Sequence, residues 1–124
     1  MDNNVLLEIN DLKMYFNINQ GFLGKNKKYL KAVDGVSLNV NRGETYGLVG
    51  ESGCGKTTVG RTVLGLYPAT AGEVIYDGEN LTKKSEKDFF PYRKKIQMIF
   101  QDPMTSLDPT KTVGEIIGAP LSVH

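Results

Sequence analysis

Eight consecutive residues, Gly50-Glu51-Ser52-Gly53-Cys54-Gly55-Lys56-Thr57, fit the pattern G-x-x-x-x-G-K-[ST] without a gap. Each residue type in that pattern answers a need of the backbone or of an anion. The glycines admit positive φ and let amides approach a ligand closely. Successive N–H groups then form a nest around phosphate oxygens. A helix that begins near Lys56 points its positive N-terminal end at the same anion. Lys56 is placed to reach the β- and γ-phosphates of a nucleotide. The Thr57 hydroxyl suits Mg²⁺, an ion that keeps most of its other ligands as water and phosphate oxygen. Thr58 is placed to donate a further hydrogen bond, to the α-phosphate. Cys54 has two readings: a thiol made reactive by the helix N-terminus, or a small residue filling a position where the backbone does the binding.

Such a loop needs a buried strand before it and a helix after it. Residues 44–49 (Glu-Thr-Tyr-Gly-Leu-Val) read as that strand, and residues 56–66 space Val59, Val63, Leu64 and Leu66 along one helical face. Ahead of the loop, residues 5–9 read as a strand that continues less clearly over 11–17. Residues 19–28 read as a polar loop, with lysines at 25, 27, 28 and 31 forming either a phosphate-binding patch or a solvated face. Asp34-Gly35 is a hairpin signal between β-rich stretches at 29–33 and 36–40. Beyond the loop, residues 72–77 and 96–100 read as strands and Asp77-Gly78 as a turn. Residues 85–95 read as helical with a disturbance at Pro91, and 112–118 as the start of another helix.

Composition narrows the class. The chain has 124 residues, which is one domain or part of one. Apolar residues make up 40% and charged residues 23%, a soluble globular balance. Fifteen Lys and Arg against 14 Asp and Glu leave a net charge of +1, so nucleic acid and anionic membrane are not expected as main partners. The single cysteine rules out an internal disulfide framework and suits a reducing compartment. No apolar run approaches the ~18 residues of a membrane helix. The first ten residues carry Asp2 and Glu8 without a basic flank, unlike a signal peptide.

A second informative stretch is Ile96-Gln97-Met98-Ile99-Phe100-Gln101-Asp102-Pro103. A glutamine at a strand end beside a nucleotide can orient a water or complete a metal shell. With Gly50–Thr58 as a Walker A motif and Gln101 as a Q-loop glutamine at this spacing, the chain resembles the ATP-binding subunits of ABC transporters. Ala32-Val33-Asp34-Gly35-Val36-Ser37-Leu38 and Ala71-Gly72-Glu73-Val74 frame the motif as in that family. Phe100-Gln101-Asp102-Pro103, Ser106-Leu107-Asp108-Pro109, Thr112-Val113-Gly114-Glu115 and the loop Gly21-Phe22-Leu23-Gly24 look most like the oligopeptide, dipeptide and nickel importers. The resemblance covers essentially all 124 residues.

The resemblance implies an α/β P-loop NTPase core with an N-terminal antiparallel β subdomain. The β region would be about 1–43 and 72–80, the P-loop core about 44–71 and 96–101, and the start of a helical subdomain about 102–124. It implies ATP and Mg²⁺ as ligands. Lys56 and Gln101 carry over as catalytic residues, and Thr57 and Gln101 as metal ligands. Gly50, Glu51, Ser52, Gly53, Cys54, Gly55, Lys56, Thr57 and Thr58 carry over as the nucleotide loop. Phe16 would stack on adenine, with Tyr15 and Tyr29 as possible substitutes. Expected partners are transmembrane permease subunits, a second ATP-binding subunit in a homo- or heterodimer and, indirectly, a solute-binding protein, on the cytoplasmic face of the cell membrane. Nucleic acid is not expected.

The chain departs from the family after the Q-loop. It contains no Leu-Ser-Gly-Gly-Gln-like signature and no apolar run ending in Asp-Glu, and its one histidine is His124. Asp77 comes after Val74-Ile75-Tyr76 but reads as part of a turn. The sequence therefore looks like the N-terminal half of such a subunit, cut where the helical subdomain begins, and this piece alone is expected to be inactive. The alternatives are a stand-alone nucleotide-binding module without turnover and, more remotely, a P-loop kinase. Arg42, Arg61 and Arg93 form no lid-like cluster for the latter.

Overall fold

A computed structural model describes residues 4–18, 28–102 and 104–123. Most of the 19–28 loop, with Lys25, Lys27 and the Gly21–Gly24 stretch, lies outside the described residues, as do Pro103 and His124. Two long strands, β1 (Val5–Asn17) and β2 (Tyr29–Asn41), pair antiparallel, and β1 pairs on its other edge with β3 (Ala71–Tyr76). A short β4 (Glu79–Asn80) completes a four-stranded sheet of order β2-β1-β3-β4. The turn between β3 and β4 is Asp77-Gly78, as the sequence predicts.

The core sits on one face of this sheet. Ile9, Leu12 and Met14 of β1, Val33 of β2 and Val74 of β3 meet Val59 of the helix α1 (Lys56–Val63). Strict alternation would send Ile9 and Leu12 to opposite faces. The ladder shifts register between them, around Asp11 at φ 44°, and that bulge returns Leu12 to the core face. Ile9, Leu12 and Val74 are buried to within 2% exposure, each stabilising the fold by about 1.5–3 kcal/mol over an exposed position.

Several sequence expectations need correction. Asp34-Gly35 does not turn a hairpin: β2 runs unbroken through it, and Gly35, at φ 85°, absorbs an irregularity inside one strand. Residues 44–49 form no strand and are exposed, Val49 to 90%. Residues 96–100 likewise form no strand, and Ile99 is 93% exposed. An apolar run becomes a strand only when a neighbour supplies ladder hydrogen bonds. Among the described residues no neighbour pairs with either segment. Helix α1 stops at Val63, three residues before Leu66, because Gly65 at φ 66° closes its C-terminus in the left-handed region.

The 85–95 stretch is a single helical turn α2 (Glu86–Phe89) followed by a 3-10 helix over Phe90–Lys94, with Pro91 in the first positions of the latter. Ser85 caps α2 by accepting from the Asp88 N–H at 3.3 Å. The last helix, α3 (Val113–Val123), extends past the expected Gly118 and through Pro120. Thr112 and Glu115 form its capping box: the Glu115 N–H donates to Thr112 Oγ1 (3.3 Å) and the Thr112 N–H to Glu115 Oε2 (2.7 Å). Among the described residues no helix is long and apolar enough to cross a membrane.

Candidate functional site

The Gly50–Thr57 loop leads directly into α1, as its pattern demands. Gly55 is the N-cap of the helix, at φ 99°. No side chain caps the helix, and its first turn holds no acidic residue. The first N–H groups of an α-helix have no intrahelical acceptor, so this end offers donors and positive potential to an anion. Gly55 is constrained twice. Its φ is strained for any L side chain, and a Cβ there would lie 2.4 Å from the Ala32 carbonyl oxygen. The loop is thereby seated against the backbone of β2.

Lys56 folds back into its own loop. Its Nζ donates to the carbonyls of Gly50 and Glu51, both at 2.6 Å, and lies 3.4 Å from Cys54 Sγ. A Cβ on Gly50 would come within 2.6 Å of that sulfur and 4.0 Å of the lysine nitrogen, so glycine there keeps the cradle open. The second reading of Cys54, a small side chain filling the loop, agrees with this packing.

A cavity of about 420 Å³ opens beside the loop, inside the ~300–1,000 Å³ range of small-ligand sites. Residues 53–58 form one wall, and Phe16, Leu30, Lys31 and Ala32 of the β1–β2 pair form the other. Phe16 and Leu30 face each other across the ladder. The cavity thus offers an aromatic ring, two apolar side chains and Lys31 at one side, and Lys56, two threonine hydroxyls and a helix N-terminus at the other. That donor set fits an ATP-like ligand, a flat base joined to a polyphosphate. Among the described residues no group of three or more His, Cys, Asp or Glu stands together to hold a metal. Mg²⁺ takes oxygen ligands, and the cavity wall holds two hydroxyl-bearing residues, Thr57 and Thr58.

The structure brings Phe16 to the loop, but neither Tyr15 nor Tyr29 lines the cavity. Tyr15 is engaged by Asp34 and Lys31. Its hydroxyl donates to Asp34, which also pairs with Lys31 at 3.2 Å, and the Lys31 ammonium lies 5.2 Å from the Tyr15 ring centroid. The Tyr15 hydroxyl, then Lys31, hold the Asp34 carboxyl below the usual carboxylate range. The same contacts with Asp34 raise the Tyr15 phenol and the Lys31 ammonium. Tyr29 is half-exposed at the ladder end opposite Asn17. Gln101 is exposed and outside the cavity wall, as are Gly50, Glu51 and Ser52, of which Gly50 and Glu51 bond to Lys56 through their carbonyls. Sequence reasoning gave Leu30 and Ala32 no part in the wall. Their signal is the β1–β2 register, which pairs Leu30 with Phe16 and cannot be counted across an unread loop.

A phosphate loop between an exposed segment and a helix, seated on an antiparallel sheet, defines an α/β P-loop nucleotide-site protein of the NTPase class. More narrowly, the chain belongs to the ABC transporter family, whose pattern matches residues 33–120. It is 53% identical over 119 residues to YkfD of Bacillus subtilis, covering 96% of this chain and 34% of that protein. It is 50% identical over 122 residues to the oligopeptide transport ATP-binding protein OppF of Salmonella typhimurium, covering 97% of this chain and 36% of the relative. Among solved structures, MJ0796, a dimeric bacterial ABC transporter cassette, superposes with a TM-score of 0.79 at 25% identity, covering 95% of this chain and 47% of that one. The chain spans about a third of the length of the relatives it matches.

Proposed function

We propose that this chain supplies the nucleotide-gripping part of an ATP hydrolase that powers uptake of oligopeptides, dipeptides or a related solute such as nickel. The observation that carries the reading is the single cavity joining Phe16 to Lys56, Thr57 and Thr58. In this reading Phe16 stacks on adenine, and the 50–55 backbone, Lys56 and Thr58 hold the phosphates. Thr57 and Gln101 hold Mg²⁺, which when bound neutralises charge on the β- and γ-phosphates. Gln101, exposed and outside the cavity wall, would sense the γ-phosphate, a role suited to coupling. The names of the OppF relatives support peptides as the solute class.

The proposed partners are a second ATP-binding subunit, as the dimeric MJ0796 cassette suggests, and transmembrane permease subunits, with a solute-binding protein acting through them. The protein would work at the cytoplasmic face of the membrane. Residues 1–43 and 72–80 would be the antiparallel region, 44–71 and 96–101 part of a nucleotide core, and 102–124 the beginning of a helical region. The exposure of Leu48, Val49, Ile99 and Phe100 supports the core assignment, since a parallel sheet covers such residues on both faces. The test is uptake of a labelled tripeptide by cells whose only copy of the intact protein is wild type or Lys56→Ala. Uptake should collapse in the variant. Undiminished uptake at equal protein level would refute the proposal.

A further inference from the structure

The two ends of the site stand on separate parts of the chain, Phe16 near the end of β1 and Lys56–Thr58 at the start of α1. The segment leaving α1 joins them. Arg61, in the last turn of α1, donates from Nη1 to the Tyr67 hydroxyl at 2.8 Å, and its guanidinium carbon lies 5.7 Å from the Tyr67 ring centroid. The N–H groups of Leu66 and Tyr67 both donate to the Arg61 carbonyl, at 2.9 and 3.4 Å. Backbone and side chain together therefore hold Tyr67 in a set place relative to α1.

The Tyr67 ring meets Phe16 with centroids 5.3 Å apart and planes at 88°. Perpendicular rings at this distance match the arrangement that aromatic quadrupoles favour. Three residues on, the segment is fastened to the same strand. The Thr70 N–H donates to the Lys13 carbonyl at 2.8 Å, and Thr70 Oγ1 accepts from the Tyr15 N–H at 2.9 Å. Tyr67 itself is half-buried and lies outside the cavity that Phe16 lines.

We propose that Tyr67 is a positioning residue for base recognition: tethered by Arg61, it holds the Phe16 ring at a set distance and angle from the phosphate loop. The inference rests on the reading of Phe16 as the base platform. A phenylalanine near a strand end otherwise has several rotamers to choose from. Restricting it before the nucleotide arrives removes an ordering cost from binding. Tyr67 therefore contributes to affinity for a base-bearing ligand and not for a bare polyphosphate.

The experiment measures affinities of Mg-ATP and Mg-tripolyphosphate for the intact protein by calorimetry. The variants are Tyr67→Phe, Tyr67→Leu, Tyr67→Ile, Phe16→Ala and Phe16→Ala combined with Tyr67→Leu. Two ringless variants are included so that one misfolded protein does not decide the outcome. Losing the ring should weaken ATP about threefold to tenfold and leave tripolyphosphate unchanged. Tyr67→Phe keeps the ring and the backbone bonds to the Arg61 carbonyl but loses the Arg61 Nη1 bond, so its loss should be smaller than that of the ringless variants. In the Phe16→Ala background, Tyr67→Leu should have no further effect on ATP. Equal losses for ATP and tripolyphosphate, or a full Tyr67→Leu effect without Phe16, would make Tyr67 a mere support of the loop and overturn the proposal. Inert Tyr67 variants beside a damaging Phe16→Ala would overturn the positioning role alone. An inert Phe16→Ala would overturn the base-platform reading and this inference with it.

Discussion

Replacing Lys56 with alanine removes the one ammonium group that the loop encloses, and the structure bounds what that costs. Two of its three N–H donors are committed to the Gly50 and Glu51 carbonyls at 2.6 Å. The remaining direction faces Cys54 Sγ at 3.4 Å, a weak acceptor. A phosphate oxygen entering the loop can take that third donor without breaking the other two bonds. One charge-assisted hydrogen bond contributes about 1.5–3 kcal/mol, which is about 10- to 150-fold in Kd. The carbonyls of Gly50 and Glu51 belong to exposed residues that water reaches, so folding stability should change by no more than about 0.5 kcal/mol. The assay is calorimetric titration of both proteins with Mg-ATP at matched ionic strength, because phosphate attraction is screened by salt, alongside thermal unfolding. Equal affinities would refute the placement of Lys56 on the phosphates. Loss of affinity together with a large fall in Tm would refute it too, since the lysine would then be holding the loop together and not the ligand.

Three further outcomes are expected. Gly55→Ala forces a φ of 99° on an L residue and drives its Cβ to 2.4 Å from the Ala32 carbonyl oxygen, which should destabilise by about 3 kcal/mol in urea unfolding; a loss below about 1 kcal/mol would contradict the seating of the loop on β2. Asp34 has a depressed pKa, so its stabilisation is full above the ordinary carboxylate range and is lost as pH falls through the depressed value. The stability gap between wild type and Asp34→Asn should therefore hold steady near neutrality and close in acid, and a gap that widens in acid would contradict the contacts with Tyr15 and Lys31. Finally, residues 1–124 alone should bind Mg-ATP but release no phosphate above background. In-line attack needs a group to orient or deprotonate water, and among the described residues no carboxylate lines the cavity. Lys56-dependent turnover by the isolated chain would refute this.

The phosphate loop could be read from the sequence because its residue types answer local demands. Gly55 is required by its own φ and its own clash, and α1 begins beside it. Strand β3 and the Asp77-Gly78 turn were readable for the same reason, a local pattern with a local outcome. Residues 44–49 and 96–100 misled because their apolar runs describe what a segment can bury, while the ladder that would make it a strand belongs to its neighbours. Asp34-Gly35 misled because a turn signal does not say whether the chain must turn. Here pairing with β1 continues on both sides of it, as Leu12↔Val36 and Met14↔Val33 show. Phe16 is reached only through a resemblance, and Leu30 carries no local signal. Both positions follow from a register that only the folded pair reveals.

Lys56 has lost its conformational freedom before any ligand arrives. A mobile lysine gives up about 1.5–2 kcal/mol of rotamer entropy when immobilised. In this loop the two 2.6 Å bonds to Gly50 and Glu51 assign that loss to folding. An incoming phosphate meets a stationary positive charge and has only to shed water. Capture should then be governed by diffusion and dehydration, with no waiting time for a side chain to find its pose, and escape by how firmly the two walls of the cavity hold the opposite ends of the same molecule.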